Sequence, residues 1–143
     1  MTTPEGKIKD KVRKIMTECG FYHYAVNQSG LGRRGIPDDC LVILGQHYQI
    51  EFKAHMERNK HTKSATKTLP TALQCNEMDK CRRAGGITCV IDDANMDAFI
   101  AWLRNARDYI ANGSSHIPDV PKECVWDIDV VNYIKYIDKI NNA

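Results

Sequence analysis

Pro37-Asp38-Asp39-Cys40-Leu41-Val42-Ile43-Leu44-Gly45-Gln46-His47-Tyr48-Gln49-Ile50-Glu51-Phe52-Lys53 sets two short apolar segments around a Gly-Gln dipeptide. Residues 39–44 and 48–53 read as a β-hairpin with Gly45-Gln46 as a two-residue type II′ turn. In the second segment Tyr48, Ile50 and Phe52 alternate with Gln49, Glu51 and Lys53, and a period of two sends the two sets to opposite faces. With that turn Cys40 opposes Glu51 and Asp38 opposes Lys53, so Asp38, Glu51 and Lys53 share a face. Direct cross-strand neighbours lie about 5 Å apart and diagonal ones roughly 7–8 Å, so one small cation or water could touch both carboxylates. A one-residue slip in pairing would send Asp38 to the other face. A solvated strand with an Asp–Lys salt bridge gives the same alternation. This face, however, also holds Cys40, Val42 and Leu44, and charges among apolar residues are costly unless a metal or ligand compensates them.

Outward from the hairpin, Ile8, Val12, Ile15 and Cys19 recur at helical spacing and predict a helix over residues 4–19, ended by Gly20. Pro4 suits its first turn, and Thr2 with Glu5 reads as a capping box. Residues 21–26 are aromatic and β-prone, a strand leading into the Gly-rich, Arg-containing loop before Pro37. Residues 55–70 are polar, without apolar periodicity, and read as a functional or disordered segment. Leu73, Met78 and Cys81 predict a helix over 71–84, stopped by Gly85-Gly86. Residues 87–91 form a buried β-branched strand, and Asp92 or Asp93 caps a helix whose stripe is Phe99, Trp102, Leu103, Ala106 and Ile110. A turn-rich linker over 113–121 precedes a last helix over 127–140. The order α-β-β-β-α-β-α plus a C-terminal helix predicts an α/β fold, a mixed sheet flanked by helices, in one domain. Residues 1–112 would form the core, and 113–143 a linker and helix packed on it or at a dimer interface.

The net charge of +2 conceals an uneven distribution: residues 53–83 carry eight basic and three acidic groups, and residues 84–143 carry five and nine. A basic zone in a nearly neutral chain fits a polyanion partner or a solvated loop. The six cysteines are scattered without a C-x-x-C pair, as expected of free thiols in a reducing compartment. The charged start has no signal-peptide-like apolar stretch and no run suits a membrane span, so a cytoplasmic protein is expected. The five histidines show no ligand spacing.

The segment Gly35-Ile36-Pro37-Asp38, the hairpin, and Ile50-Glu51-Phe52-Lys53-Ala54 resemble the PD-(D/E)xK signature of restriction-endonuclease-like nucleases. More narrowly they resemble the virus-type replication-repair nuclease (VRR-NUC) domain. Arg34 to Asp38 matches its Arg-Gly-hydrophobic-Pro-Asp segment, and Glu5 its acidic first helix. Leu69 to Gln74, followed by Ala84-Gly85-Gly86-Ile87, matches its Leu-x-x-x-Gln helix and Ala-Gly ending. The resemblance covers residues 4–92 or so and finds no counterpart beyond about residue 112.

Two close carboxylates repel one another, and a divalent cation relieves this while supplying charge to grip a phosphate. Oxygen donors suit Mg²⁺ or Mn²⁺. The expected ligands are Asp38, Glu51 and the Phe52 backbone carbonyl, and the resemblance adds Glu5, whose alternative role is a helix cap. Lys53 would orient a water or stabilise developing charge. Gln74, by the resemblance, would orient Lys53 or that water. Arg33 and Arg34 beside glycines, and Arg58, Lys60, Lys63 and Lys67 in the long basic segment, are the candidate nucleic-acid contacts. The resemblance implies a metal-dependent endonuclease acting on DNA junctions or flaps, working as a homodimer. Two alternatives stand beside it: a non-catalytic nucleic-acid-binding module of a replication assembly, and a general or restriction-like duplex nuclease.

Overall fold

The computed structural model describes residues 3–26, 34–56 and 69–142. Its elements are α1 (Pro4–Glu18), β1 (Tyr22–Ala25), β2 (Asp39–Ile43), β3 (Gln46–Phe52), α2 (Ala72–Arg83), β4 (Ile87–Ile91), α3 (Met96–Ala111), one 3-10 turn (Lys122–Cys124) and α4 (Val130–Asn142). The strands form one mixed sheet in the order β1-β2-β3-β4, antiparallel up to β3 and parallel between β3 and β4, with α2 as the crossover. Among the described residues no helix is long and apolar enough to cross a membrane.

Two apolar clusters sandwich the sheet. Alternate residues of the central strands, Leu41, Ile43, Tyr48, Ile50, Phe52, Cys89 and Ile91, pack with α1 and α3 on one side. Val90 on the other side packs with Cys75 and Met78 of α2 and with Trp126 and Tyr133. Met56 and Leu69, which flank the basic segment, also enter this second cluster. The chain after α3 closes the β4 edge: Trp126 donates its N–H to the Thr88 carbonyl, and Cys89 bridges Val125. Ile128 and Ile137 pack on the second cluster, whereas Val131 and Ile134 stay exposed.

The hairpin departs from expectation in its turn. Leu44 and Gly45, not Gly45 and Gln46, occupy the corner, with φ of 49° and 81°. Two positive φ angles make this type I′ rather than II′. The register becomes Val42↔His47 and Cys40↔Gln49, which extends to Asp38 opposite Glu51 instead of Lys53. Moving a two-residue turn by one position changes every pairing by two residues, so the side-chain faces are unchanged. Gln46 secures the register by donating to the Gly85 carbonyl beyond α2.

Helix ends differ as well. Thr3, not Thr2, caps α1, accepting from the Gly6 N–H, so Glu5 is not the capping-box partner. Asp92 accepts from the Ala94 and Asn95 N–H groups one turn before α3, whose N-cap is Asn95. The last helix starts at Val130, with Asp129 accepting from the Asn132 N–H, because a side-chain acceptor there satisfies a first-turn donor.

Candidate active site

The site assembles where the start of β2, the end of β3 and the first turn of α2 meet. Gly35 makes this junction possible: its φ is +83°, and a Cβ there would lie 2.5 Å from the Leu73 carbonyl carbon and 2.9 Å from the Gln74 nitrogen. Only glycine tolerates both the left-handed backbone and that contact, so the segment ahead of Pro37 lies against the residue that precedes Gln74. Pro37 is buried, and Asp38 follows it into the site.

Asp38 Oδ2 accepts the Phe52 N–H at 2.9 Å, locking the Pro-Asp corner to the end of β3. Its Oδ1 lies 3.5 Å from Lys9 Nζ on α1. Glu51, 4% exposed, faces Asp38 from β3. Gln74 Nε2 donates to Glu51 Oε1 at 3.0 Å, while Gln74 Oε1 accepts the Thr71 N–H at 2.8 Å. Thr71 reciprocates by accepting the Gln74 N–H, a complete capping box. One amide side chain thus ends a helix with its oxygen and orients a carboxylate with its nitrogen. The partner of Gln74 is Glu51, in place of the expected Lys53 or water.

Glu51 Oε2 is buried and, among the described residues, has no donor. Burial first, and then the charge of Asp38, push the Glu51 carboxyl from 4.5 up to about 9, against the opposing pull of Lys53. Two carboxylates facing each other away from water favour a state that holds a proton or a cation between them. The donor set is all oxygen, and the unpartnered Oε2 supplies a free lone-pair position, so these residues fit a hard divalent cation.

Lys53 continues the alternation just past β3, half-buried, with its N–H on the Ile91 carbonyl. Glu5 lies half-buried in the first turn of α1, and its charge also acts on Glu51, which places the N-terminal end of α1 at the site. Arg34 is exposed, just ahead of Gly35. Arg33, Arg58, Lys60, Lys63 and Lys67 lie outside the described residues.

Two groups escaped the sequence reading. Lys9 and Arg13 follow Glu5 at i, i+4 spacing along α1, a charged stripe that an apolar-periodicity reading passes over. Lys9 reaches Asp38, and Arg13 binds both oxygens of Asp39. Separately, His55, Asp92 and Asp93 cluster beyond the ends of β3 and β4. There His55 Nδ1 lies 2.9 Å from exposed Asp93, and both Asp92 oxygens already accept backbone N–H groups, from Met56, Ala94 and Asn95. That aspartate is satisfied by the turn it shapes.

A scan against protein-family models matches none of them, and no curated protein matches the chain.

Proposed function

We propose that this chain is a metal-dependent nuclease of the PD-(D/E)xK, restriction-endonuclease-like class, hydrolysing DNA phosphodiester bonds at junctions or flaps. The observation that carries the reading is the buried Glu51 Oε2, which among the described residues has no donor and faces Asp38. A structural carboxylate this deeply buried would be satisfied by the chain itself, because an unmatched buried charge is strongly destabilising.

Asp38, Glu51 and the Phe52 carbonyl, with Glu5 at the edge, would hold Mg²⁺ or Mn²⁺. The cation would lower the pKa of a water and neutralise charge on the phosphate. Gln74 fixes the rotamer of Glu51, so its unpartnered oxygen is aimed without conformational search at each turnover. Lys53, on the same face, offers an ammonium to the charge that develops on the attacked phosphate. Lys9 limits the repulsion between Asp38 and an approaching anion. Arg34 and the basic segment beyond Met56 would hold the flanking backbone, giving affinity that falls with salt.

Paired cuts across a junction require two centres and therefore a symmetric dimer, for which exposed Val131 and Ile134 offer an apolar surface. The test incubates the protein with Mg²⁺ or Mn²⁺ and labelled four-way, flap, single-stranded and plain duplex DNAs, beside the Asp38→Ala and Lys53→Ala variants. Metal-dependent cleavage is expected, reduced on the order of a hundredfold to a thousandfold in either variant. Undiminished cleavage in both variants would remove the assignment. A protein that binds these DNAs yet cuts none would instead be the non-catalytic module.

A further inference from the structure

Among the described residues, the face of the sheet that carries Asp38 and Glu51 is covered chiefly over β3 and β4. Helix α2 lies over β3 and β4, burying Val90 and Thr88. Over β1 the described residues leave the same face open: Tyr22 is 67% exposed and Tyr24 47% exposed, with exposed His47 at the near end of β3, while Cys40 of β2 between them is buried. The register locates these residues relative to the site. Tyr22 pairs with Val42, Tyr24 pairs with Cys40, and the next residue on this face, Val26, donates its N–H to the Asp38 carbonyl. Tyr24 is therefore a diagonal neighbour of Asp38, at roughly 7–8 Å by strand geometry, and Tyr22 is one step further out.

We propose that this open face over β1 binds an unpaired stretch of the nucleic-acid substrate, whose bases stack on the rings of Tyr22 and Tyr24. The inference rests on the nuclease reading and adds the state of the strand that the site receives. The two rings meet edge to face, with centroids 5.9 Å apart and planes at 68°, so each ring keeps at least one face that the other does not cover. The Cys40 thiol, which lies 2.8 Å from His47 Nε2, is close enough to the Tyr24 hydroxyl to raise its pKa, so the inner ring rests beside the buried part of β2.

Tyr22 and Tyr24 sit on a strand that carries no acidic side chain; the nearest acid on β1 or β2 is Asp38, whose Oδ1 lies 3.5 Å from Lys9 Nζ, with buried Glu51 facing it from β3. Ring faces also discriminate between strands. In a duplex each base face is covered by its neighbours, so only an unpaired or splayed base can lie flat on tyrosine. A substrate with a single-stranded arm beside the scissile phosphate fits this floor, and a continuous duplex does not.

The test measures anisotropy of a labelled single-stranded oligonucleotide and of a hairpin duplex, without divalent metal, on wild type, Tyr22→Ala, Tyr24→Ala and the two Phe variants. Each Ala change should weaken single-strand binding roughly 5- to 100-fold, change duplex binding less than about twofold, and be restored by Phe. An iodouridine-substituted strand should cross-link to the peptide that contains Tyr22 and Tyr24. Unchanged single-strand affinity in both Ala variants, or equal loss for single strand and duplex, would overturn the proposal. Conversion of a dimer to a monomer by Tyr22→Ala would also overturn it, because the exposed edge of β1 would then belong to a second copy. The two readings fail separately: wild type that cleaves nothing with Mg²⁺ or Mn²⁺ removes the nuclease, while the anisotropy still reports on the platform.

Discussion

Asp38 and Asp39 are consecutive residues that leave opposite faces of the sheet, and the chain treats them differently. Asp39 is buried on the α1 side, where Arg13 Nε and Nη2 donate to its two oxygens at 2.8 and 2.6 Å. That bond is the main reason the Arg13 guanidinium is held above its ordinary pKa. Asp38 faces Glu51, and between them one buried oxygen has no donor among the described residues. The first pair is neutralised within the chain and therefore serves the fold. The second needs a proton or a cation from outside, so it marks where a ligand belongs.

The strongest way to break this contrast is to give the structural side the defect of the functional side. Arg13→Met leaves Asp39 buried and uncompensated, and should cost about 3 kcal/mol of stability in denaturant melts, with or without Mg²⁺. The reverse change, Asp39→Ala, should cost less, because Arg13 is partly exposed and can turn to solvent. Equal and negligible losses in both variants would show that the two aspartates are not different in kind.

Glu51→Gln sharpens the comparison from the other side. In the metal-free folded state Glu51 keeps its proton up to about pH 9, whereas the unfolded chain releases it near 4.5. Between those values the folded state binds more protons, so stability must fall as pH rises through the window. Metal-free wild type should melt lower at about pH 8.5 than at about pH 6, and Mg²⁺ should restore it. Glu51→Gln should flatten the pH trend, remove the response to Mg²⁺ and add on the order of 2 kcal/mol at the higher pH, since folding then requires no proton uptake at this position. A wild-type melting temperature that ignores both pH and Mg²⁺ would refute the shared-cation picture.

The smallest effect is expected at Gln74. Gln74→Ala removes half of a capping box, about 1 kcal/mol, and frees the Glu51 rotamer, which should lower metal affinity or cleavage rate about tenfold. Gln74→Glu should keep the cap but place a second negative charge beside Glu51, moving the pH profile of activity as well as its height. A stability loss without any change in the metal titration would confine Gln74 to the helix end.

Much of this arrangement was legible from short-range pattern. The alternation in Tyr48 to Lys53 placed Glu51 on the face opposite Tyr48, Ile50 and Phe52, and it holds although the turn is one residue earlier than expected. Parity explains this, because shifting a two-residue turn changes pairings by an even number. The helix and strand order was readable from apolar spacing and from Gly20, Gly85 and Gly86 as stops. Other features depended on partners far away in sequence. Gln74 sits on an unremarkable polar helix turn, and its bond to Glu51 appears only when α2 lies across β3. The partners of Arg13 and Lys9 are set only when α1 runs past Asp38 and Asp39.

The sequence alone determined which faces the charged residues occupy and which segments carry them, because backbone periodicity and turn chemistry act over a few neighbouring residues. Tertiary structure decided which charges are matched and which are left open. It set the Leu44-Gly45 corner through the bond from Gln46 to Gly85, paired Asp39 with Arg13, and buried Glu51 beside Asp38. Electrostatic balance in a buried site is a sum over groups brought together from distant parts of the chain, and local pattern carries no term for that sum.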